Sequence, residues 1–159
     1  MSNAVDRRTI AVPGTLLGIG IGGALDGIVL HQLLQWHHLL TSTGDHPPST
    51  VAGLEANTVA DGAFHLIAIA FVIAGIAMLW SRTRRPLDVT WRSIAGYAVF
   101  GWGLFNLVEG LIDHHLLELH HVREVADPLP YDLAFLALGA ALALGGWHLA
   151  RSDGAKRSP

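Results

Sequence analysis

Long apolar runs alternate with short polar links along the chain. The runs cover roughly 10–34, 62–80, 94–117 and 133–149, each close to the ~20 residues that a membrane-crossing helix needs. A soluble helix carries a charged stripe opposite its apolar one, and these runs have almost no charge on any face. The pattern predicts an all-α, four-helix transmembrane bundle. It forms a single membrane domain over 1–159, with helices at about 10–38, 55–80, 92–121 and 131–150. The links at 45–49, 81–92 and 123–131 hold Pro47, Pro48, Pro86, Pro128 and Pro130, which mark helix ends.

The basic residues orient the spans. Arg7 and Arg8 precede the first run, and Arg82, Arg84, Arg85 and Arg92 separate the second from the third. Arg151, Lys156 and Arg157 follow the fourth, so only Arg123 falls on the opposite side. Cytoplasmic links carry the excess of Lys and Arg, which predicts cytoplasmic N and C termini and outward-facing histidine-rich links. Trp80, Trp91 and Trp147 suit an inner aromatic belt, and Trp36 and Tyr131 an outer one. The first run is long, carries Asp26 and lacks a small-residue cleavage site, so it is expected to be a retained helix rather than a signal peptide.

Composition sharpens this picture. Hydrophobic residues make up 51% and charged residues 14%, too apolar for an ordinary soluble domain. A net charge of −3 points away from a nucleic-acid partner. Cysteine is absent, which excludes disulfides, thiolate nucleophiles and thiolate metal ligands, and the only methionines are Met1 and Met78. Histidine is the outlier, with ten copies. It is the commonest metal ligand and the side chain that titrates near neutral pH.

Those histidines fall largely in a repeated motif. "DGIVLHQLLQWHH" (26–38) aligns without a gap on "EGLIDHHLLELHH" (109–121). Asp26 pairs with Glu109, Gly27 with Gly110, His31 with His114, and His37-His38 with His120-His121. The following helices also begin alike, with "DGAF" at Asp61 and "DLAF" at Asp132. Two helical hairpins of the same orientation follow, a parallel repeat with a pseudo-two-fold axis along the membrane normal and a site at the repeat interface. The match breaks where Leu136 faces His65, Asp113 faces Leu30 and Asn106 faces Gly23, so a shared site would be asymmetric.

At about 100° per residue, with Glu109 as origin, Asp113 falls near 40°, Asn106 near 60°, His120 near 20°, His121 near 120° and His114 near 140°. They share one broad face with Gly103 and Gly110, while His115 and Glu118 point elsewhere. The first helix repeats this face with Asp26, His31, His37 and His38. Asn57, Asp61 and His65 form a stripe spaced by four on the second helix. These polar faces are expected to meet in the outer half of the bundle. Asp26 and Glu109 lie about two turns below its outer end, at matching depth. Two ionised carboxylates that close must share a proton or hold a cation between them. The candidate metal ligands are therefore Asp26, His31, His37, His38, Asp61, His65, Glu109, Asp113, His114, His120 and His121. Asn57 and Asn106 are expected to donate hydrogen bonds around the site. His46, His115 and His148 are expected at interfaces or in solvent. A sulfur-free set of imidazoles and carboxylates suits copper, zinc, iron or manganese, as one ion or two.

The motifs "GGALDGIVLHQLLQWHH", "NTVADGAFH" and "FNLVEGLIDHHLLELHHVR" resemble the bacterial predicted-membrane-protein family named domain of unknown function 2243, over about 16–149 of the chain. The resemblance implies a four-helix inner-membrane protein with no assigned reaction. Some members are encoded near a copper-insertion factor for cytochrome oxidase, which favours copper. The Asp61/His65 spacing is also similar to the membrane copper site of particulate methane monooxygenase.

The leading expectation is thus a membrane metal-binding protein with its site facing the outer side. It would handle copper, with zinc or iron as alternatives, and could work with respiratory oxidase assembly components. A dimetal oxidoreductase or hydrolase acting on a lipid or small apolar substrate is the second possibility. Proton or cation transport is the third. Haem held by facing histidines is a fourth. Besides the lipid bilayer, a second copy of the chain is a possible partner, docked through Gly75, Gly96 and Gly139.

Overall fold

The computed structural model describes residues 7–82 and 90–152. Arg84, Arg85, Pro86, Lys156 and Arg157 lie outside the described residues. Among the described residues the fold has four long helices: α1 (Arg7–Asp26), α2 (Val51–Arg82), α3 (Trp91–Glu109) and α4 (Leu129–Ser152). α1 and α3 each continue into a π-helical segment, Gly27–Leu33 and Gly110–Leu116. The spans Thr9–Leu33, Val51–Arg82, Trp91–Leu116 and Leu129–Ser152 are long and apolar enough to cross a membrane. The exterior agrees with that reading. Val59, Leu66 and Leu144 are about 70% exposed, a cost in water that disappears against lipid tails.

Two helix ends differ from the sequence expectation. The first and third helices stop at Leu33 and Leu116, short of the expected 38 and 121. The chain turns back at Gln35 and Glu118, each with φ of 50°, the left-handed region that ends a helix. His37, His38, His120 and His121 therefore sit on loops rather than on helix faces.

α1 and α3 form the central pair; among the described residues the backbone of α2 lies against α1 and its π extension, and that of α4 against α3 and its π extension. The four helices thus stand in a row rather than closing into a ring. Small residues set the spacing. A Cβ at Gly18 would meet the Ala98 backbone of α3, and one at Gly101 would meet the Thr15 backbone of α1. Gly103 of α3 and Gly139 of α4 make the matching close approach on the other side. With no hydrophobic drive between helices in lipid, this backbone proximity supplies the van der Waals contact that holds them. Gly75 and Gly96, expected on an outward face, are buried against Pro13 and Leu17 and against Ala150, and Gly139 against Asn106.

The two loops that follow the π segments lace together above the central pair. Ser42 N–H donates to the Leu119 carbonyl at 2.9 Å and Glu124 N–H to the Trp36 carbonyl at 3.1 Å. Asn57, buried on α2, accepts from Leu40 N–H at 2.9 Å and donates to the His46 carbonyl at 2.9 Å, pinning the first loop to its helix. The loops are thus tied to each other and to the scaffold.

Candidate metal centre

The π-helical segments decide which side chains meet. In an α-helix, residues five apart point about 140° away from each other. A π turn bonds residue i to i+5 and stacks those positions instead. Asp26 and His31 are five apart, as are Glu109 and His114. The result is His31 Nε2 at 3.3 Å from Asp26 Oδ2, and His114 Nε2 at 3.6 Å from Glu109 Oε1. Each π segment opens on a glycine where a neighbour presses close: His65 against Gly27, and Leu136 against Gly110.

The turn-back after each segment returns one more imidazole to the same place. The His37 and His120 rings stack with centroids 4.4 Å apart and planes 12° from parallel. His37 Nδ1 donates to the Val122 carbonyl at 2.8 Å, and His120 Nδ1 donates to the Leu39 carbonyl at 3.2 Å. Each loop therefore anchors the histidine of the other. A carbonyl only accepts, so both rings donate from Nδ1; His37 presents its Nε2 lone pair inward, while His120 Nε2 lies in hydrogen-bond contact with Glu109 Oε1 at 3.3 Å.

Carboxylates hold the remaining rings. Asp61 accepts from His31 Nδ1 at 2.8 Å, His38 Nδ1 at 2.7 Å and Leu39 N–H at 2.9 Å. Asp132, on α4, takes the matching position with a looser hold. It accepts from His121 Nδ1 at 2.8 Å and Val122 N–H at 2.9 Å, while His114 Nδ1 lies 3.7 Å away without a hydrogen bond. Asp132 was not among the sequence candidates, although the match of "DLAF" to "DGAF" pairs it with Asp61.

Inside this frame stand Asp26, His31, His37, Glu109, His114 and His120, all buried. Among the described residues, three groupings bring ligand atoms within 4.8 Å of one another: His31, His37 and His120; Glu109, His114 and His120; and Asp26, His37 and Glu109. Several inward atoms have no hydrogen-bond partner among the described residues: Asp26 Oδ2, Glu109 Oε2, and Nε2 of His31, His37 and His114. Burial, reinforced by the His120 and His31 rings, pushes the His37 pKa down to about 2, so its inward lone pair stays free. Buried polar groups without partners are costly, and two carboxylates among imidazole lone pairs form an electron-rich pocket that a cation would satisfy. Imidazoles held through one nitrogen by a carboxylate or carbonyl, with the other nitrogen free, are arranged as metal ligands are.

The family model described as a predicted membrane protein (DUF2243) matches residues 13–153. The chain belongs to this family. No curated protein and no solved structure matches it.

Five other candidates of this DUF2243 protein stand outside the inner cluster. His38 and His121 reach the rim, half-buried, and bond to Asp61 and Asp132. The oxygens of Asp61 are engaged by His31, His38 and Leu39 N–H. His65 donates from Nδ1 to the Asp61 carbonyl at 2.8 Å, and its Nε2 has no partner. It belongs to none of the three groupings, nor does Asp113, which is half-buried beside them. The π turn is the reason for Asp113: it brings the i+5 histidine onto Glu109 in place of the i+4 aspartate. Asn106 is buried with Oδ1 unpartnered, and His115 and His148 are exposed.

Proposed function

We propose that this DUF2243 protein binds one or two transition-metal ions at the meeting point of its two π segments and two outer loops. The single observation that carries the proposal is the convergence of imidazoles on a common pocket. Four imidazoles are gathered there with two buried carboxylates, and three of the four are fixed by a hydrogen bond through Nδ1. Asp26, His31, His37, Glu109, His114 and His120 are the ligands of this proposal. Asp61 and Asp132 orient the imidazoles, and His38 and His121 complete the rim. Copper is favoured, with zinc and iron as the alternatives, because imidazole and carboxylate without sulfur suit these ions. Six donors exceed what one four-coordinate ion takes, and the carboxylates suit bridging positions between two.

The matching π segments, the positive φ at Gln35 and Glu118, and the crossed His37 and His120 bonds support a parallel two-fold repeat about α1 and α3. The distribution of basic residues supports cytoplasmic termini in a bacterial inner membrane and a site facing the outer side. A polar cavity of about 400 Å³ reaches His37 and His38 beside Gln35, Thr41 and Glu124, and it gives an ion an aqueous path to the cluster. Access from outside and a buried ligand set suit storage or delivery of copper, with respiratory oxidase assembly as the role favoured. X-ray absorption of copper-loaded protein tests the ligand set. The expected spectrum shows several imidazoles and no sulfur around the metal, with the imidazole scattering reduced in His31→Ala/His114→Ala. A spectrum without imidazole scattering would overturn the assignment.

A further inference from the structure

A second cavity, of about 440 Å³, lies on the membrane side of the cluster, in the cleft between α1 and α4 above α3. Its wall is apolar and rich in rings: Trp36, Trp102, Tyr131 and Phe135. α1 and α4 do not pack against each other, and the wall residues Leu25, Val29 and Leu138 are 38%, 37% and 49% exposed. The cleft therefore opens sideways into the bilayer. Its outer end is closed by Arg123, whose guanidinium lies 5.1 Å from the Trp36 ring and 5.3 Å from the Tyr131 ring, and donates to the Tyr131 hydroxyl at 2.9 Å.

Apart from the Tyr131 hydroxyl, which Arg123 engages, and the indole N–H groups, the polar side chains in this wall are Asp26 and Asn106. Asn106 is 2% exposed and its Oδ1 has no partner; Asp26 is 8% exposed and belongs to the metal-binding cluster as well. The cleft between α2 and α3 is different. There Phe64 and Phe105 meet with ring centroids 6.0 Å apart. The counterparts of Phe105 and Asn106 in the first motif's helix are Gly22 and Gly23, so ring space and an amide coincide on one side alone.

We propose that this cavity binds a lipid-soluble phenol, taken laterally from the bilayer, with its hydroxyl on Asn106 and its ring among the four aromatic side chains. The volume lies within the range of small-molecule pockets, and an aromatic wall favours an aromatic occupant. A hydroxyl both donates and accepts, so it satisfies the Asn106 amide and costs little to bring out of lipid. The position of the hydroxyl next to a metal ion, through Asp26, rests on the function proposed above; the binding itself does not.

Tryptophan quenching in phosphatidylcholine nanodiscs tests this, with 4-bromophenol as probe and 4-bromoanisole, its methyl ether, as control. Bound metal is measured on the same samples. The expected result is saturable quenching by the phenol, at least about tenfold weaker for the ether and in Asn106→Leu, and lost in Ala134→Phe, which fills the cavity. Linear quenching by phenol and ether alike, or saturation untouched by both substitutions, would overturn the proposal. Metal-loaded protein without saturable quenching rejects the phenol site alone. Protein that stays metal-free after reconstitution yet still saturates leaves the phenol site standing and rejects the metal centre.

Discussion

Replacing Asp61 by asparagine separates a residue that holds ligands from one that is a ligand. The carboxylate accepts hydrogen bonds of 2.8, 2.7 and 2.9 Å from His31, His38 and Leu39. Bonds to a charged acceptor contribute about 1.5–3 kcal/mol each, and an amide of the same shape keeps one oxygen but turns its NH₂ toward a donor. Of the two histidines, only His31 belongs to the inner groupings. The metal therefore loses the orientation and basicity of one imidazole. Loss of such a supporting partner weakens metal binding about 10–100-fold, or about 1.4–2.8 kcal/mol, with the number of bound ions unchanged. Competition against a chelator of known affinity gives the dissociation constant, and mass spectrometry gives ions per chain. The melting temperature of the metal-free variant checks the fold. Unchanged affinity would refute the reasoning. So would loss of an ion from a variant that melts like wild type, which would make Asp61 a ligand.

Asp132→Asn should weaken metal binding less than Asp61→Asn, by no more than about tenfold, because Asp132 bonds the rim His121 and lies 3.7 Å from His114; a larger loss in the same competition would contradict this. His120→Ala should remove at least one ion per chain, because His120 joins two of the three groupings, whereas His115→Ala, at an exposed position, should remove none. Gly18→Ala should destabilise the protein by at least about 1–3 kcal/mol, read as a lower melting temperature in detergent, since its Cβ meets rigid Ala98 backbone. Removing the metal should lower stability as well, by about 2.7 kcal/mol relative to protein held at 100 times the dissociation constant, seen as a concentration-dependent melting temperature.

The spans were legible because an apolar run with no charged stripe has one economical explanation, and the aligned motifs cover the segments whose histidines and carboxylates the structure brings together. The ligand geometry was less legible. Projecting residues at a constant turn angle groups Glu109 with Asp113, but the π segment groups it with His114. Nothing in "GLIDHHL" announces the wider turn. Nor do Gln35 and Glu118 resemble the glycines that usually adopt positive φ, so the helices were expected to run on through the histidine pairs. The turn-back also divides each pair: His37 and His120 face inward, while His38 and His121 reach outward to an aspartate. Asp132 lay in plain view in "DLAF", yet its role depends on a loop that folds down onto α4, which local pattern does not encode. The row-like order of the helices depends on which glycines meet which backbone, again a long-range matter.

Metals per chain in protein purified without added metal or chelator test the central claim most directly, with His31→Ala/His114→Ala prepared alongside. One or two ions of copper, zinc or iron per wild-type chain, lost in the double variant, is the predicted result. Metal-free wild-type protein that stays metal-free after reconstitution, or equal metal in both proteins, would contradict it.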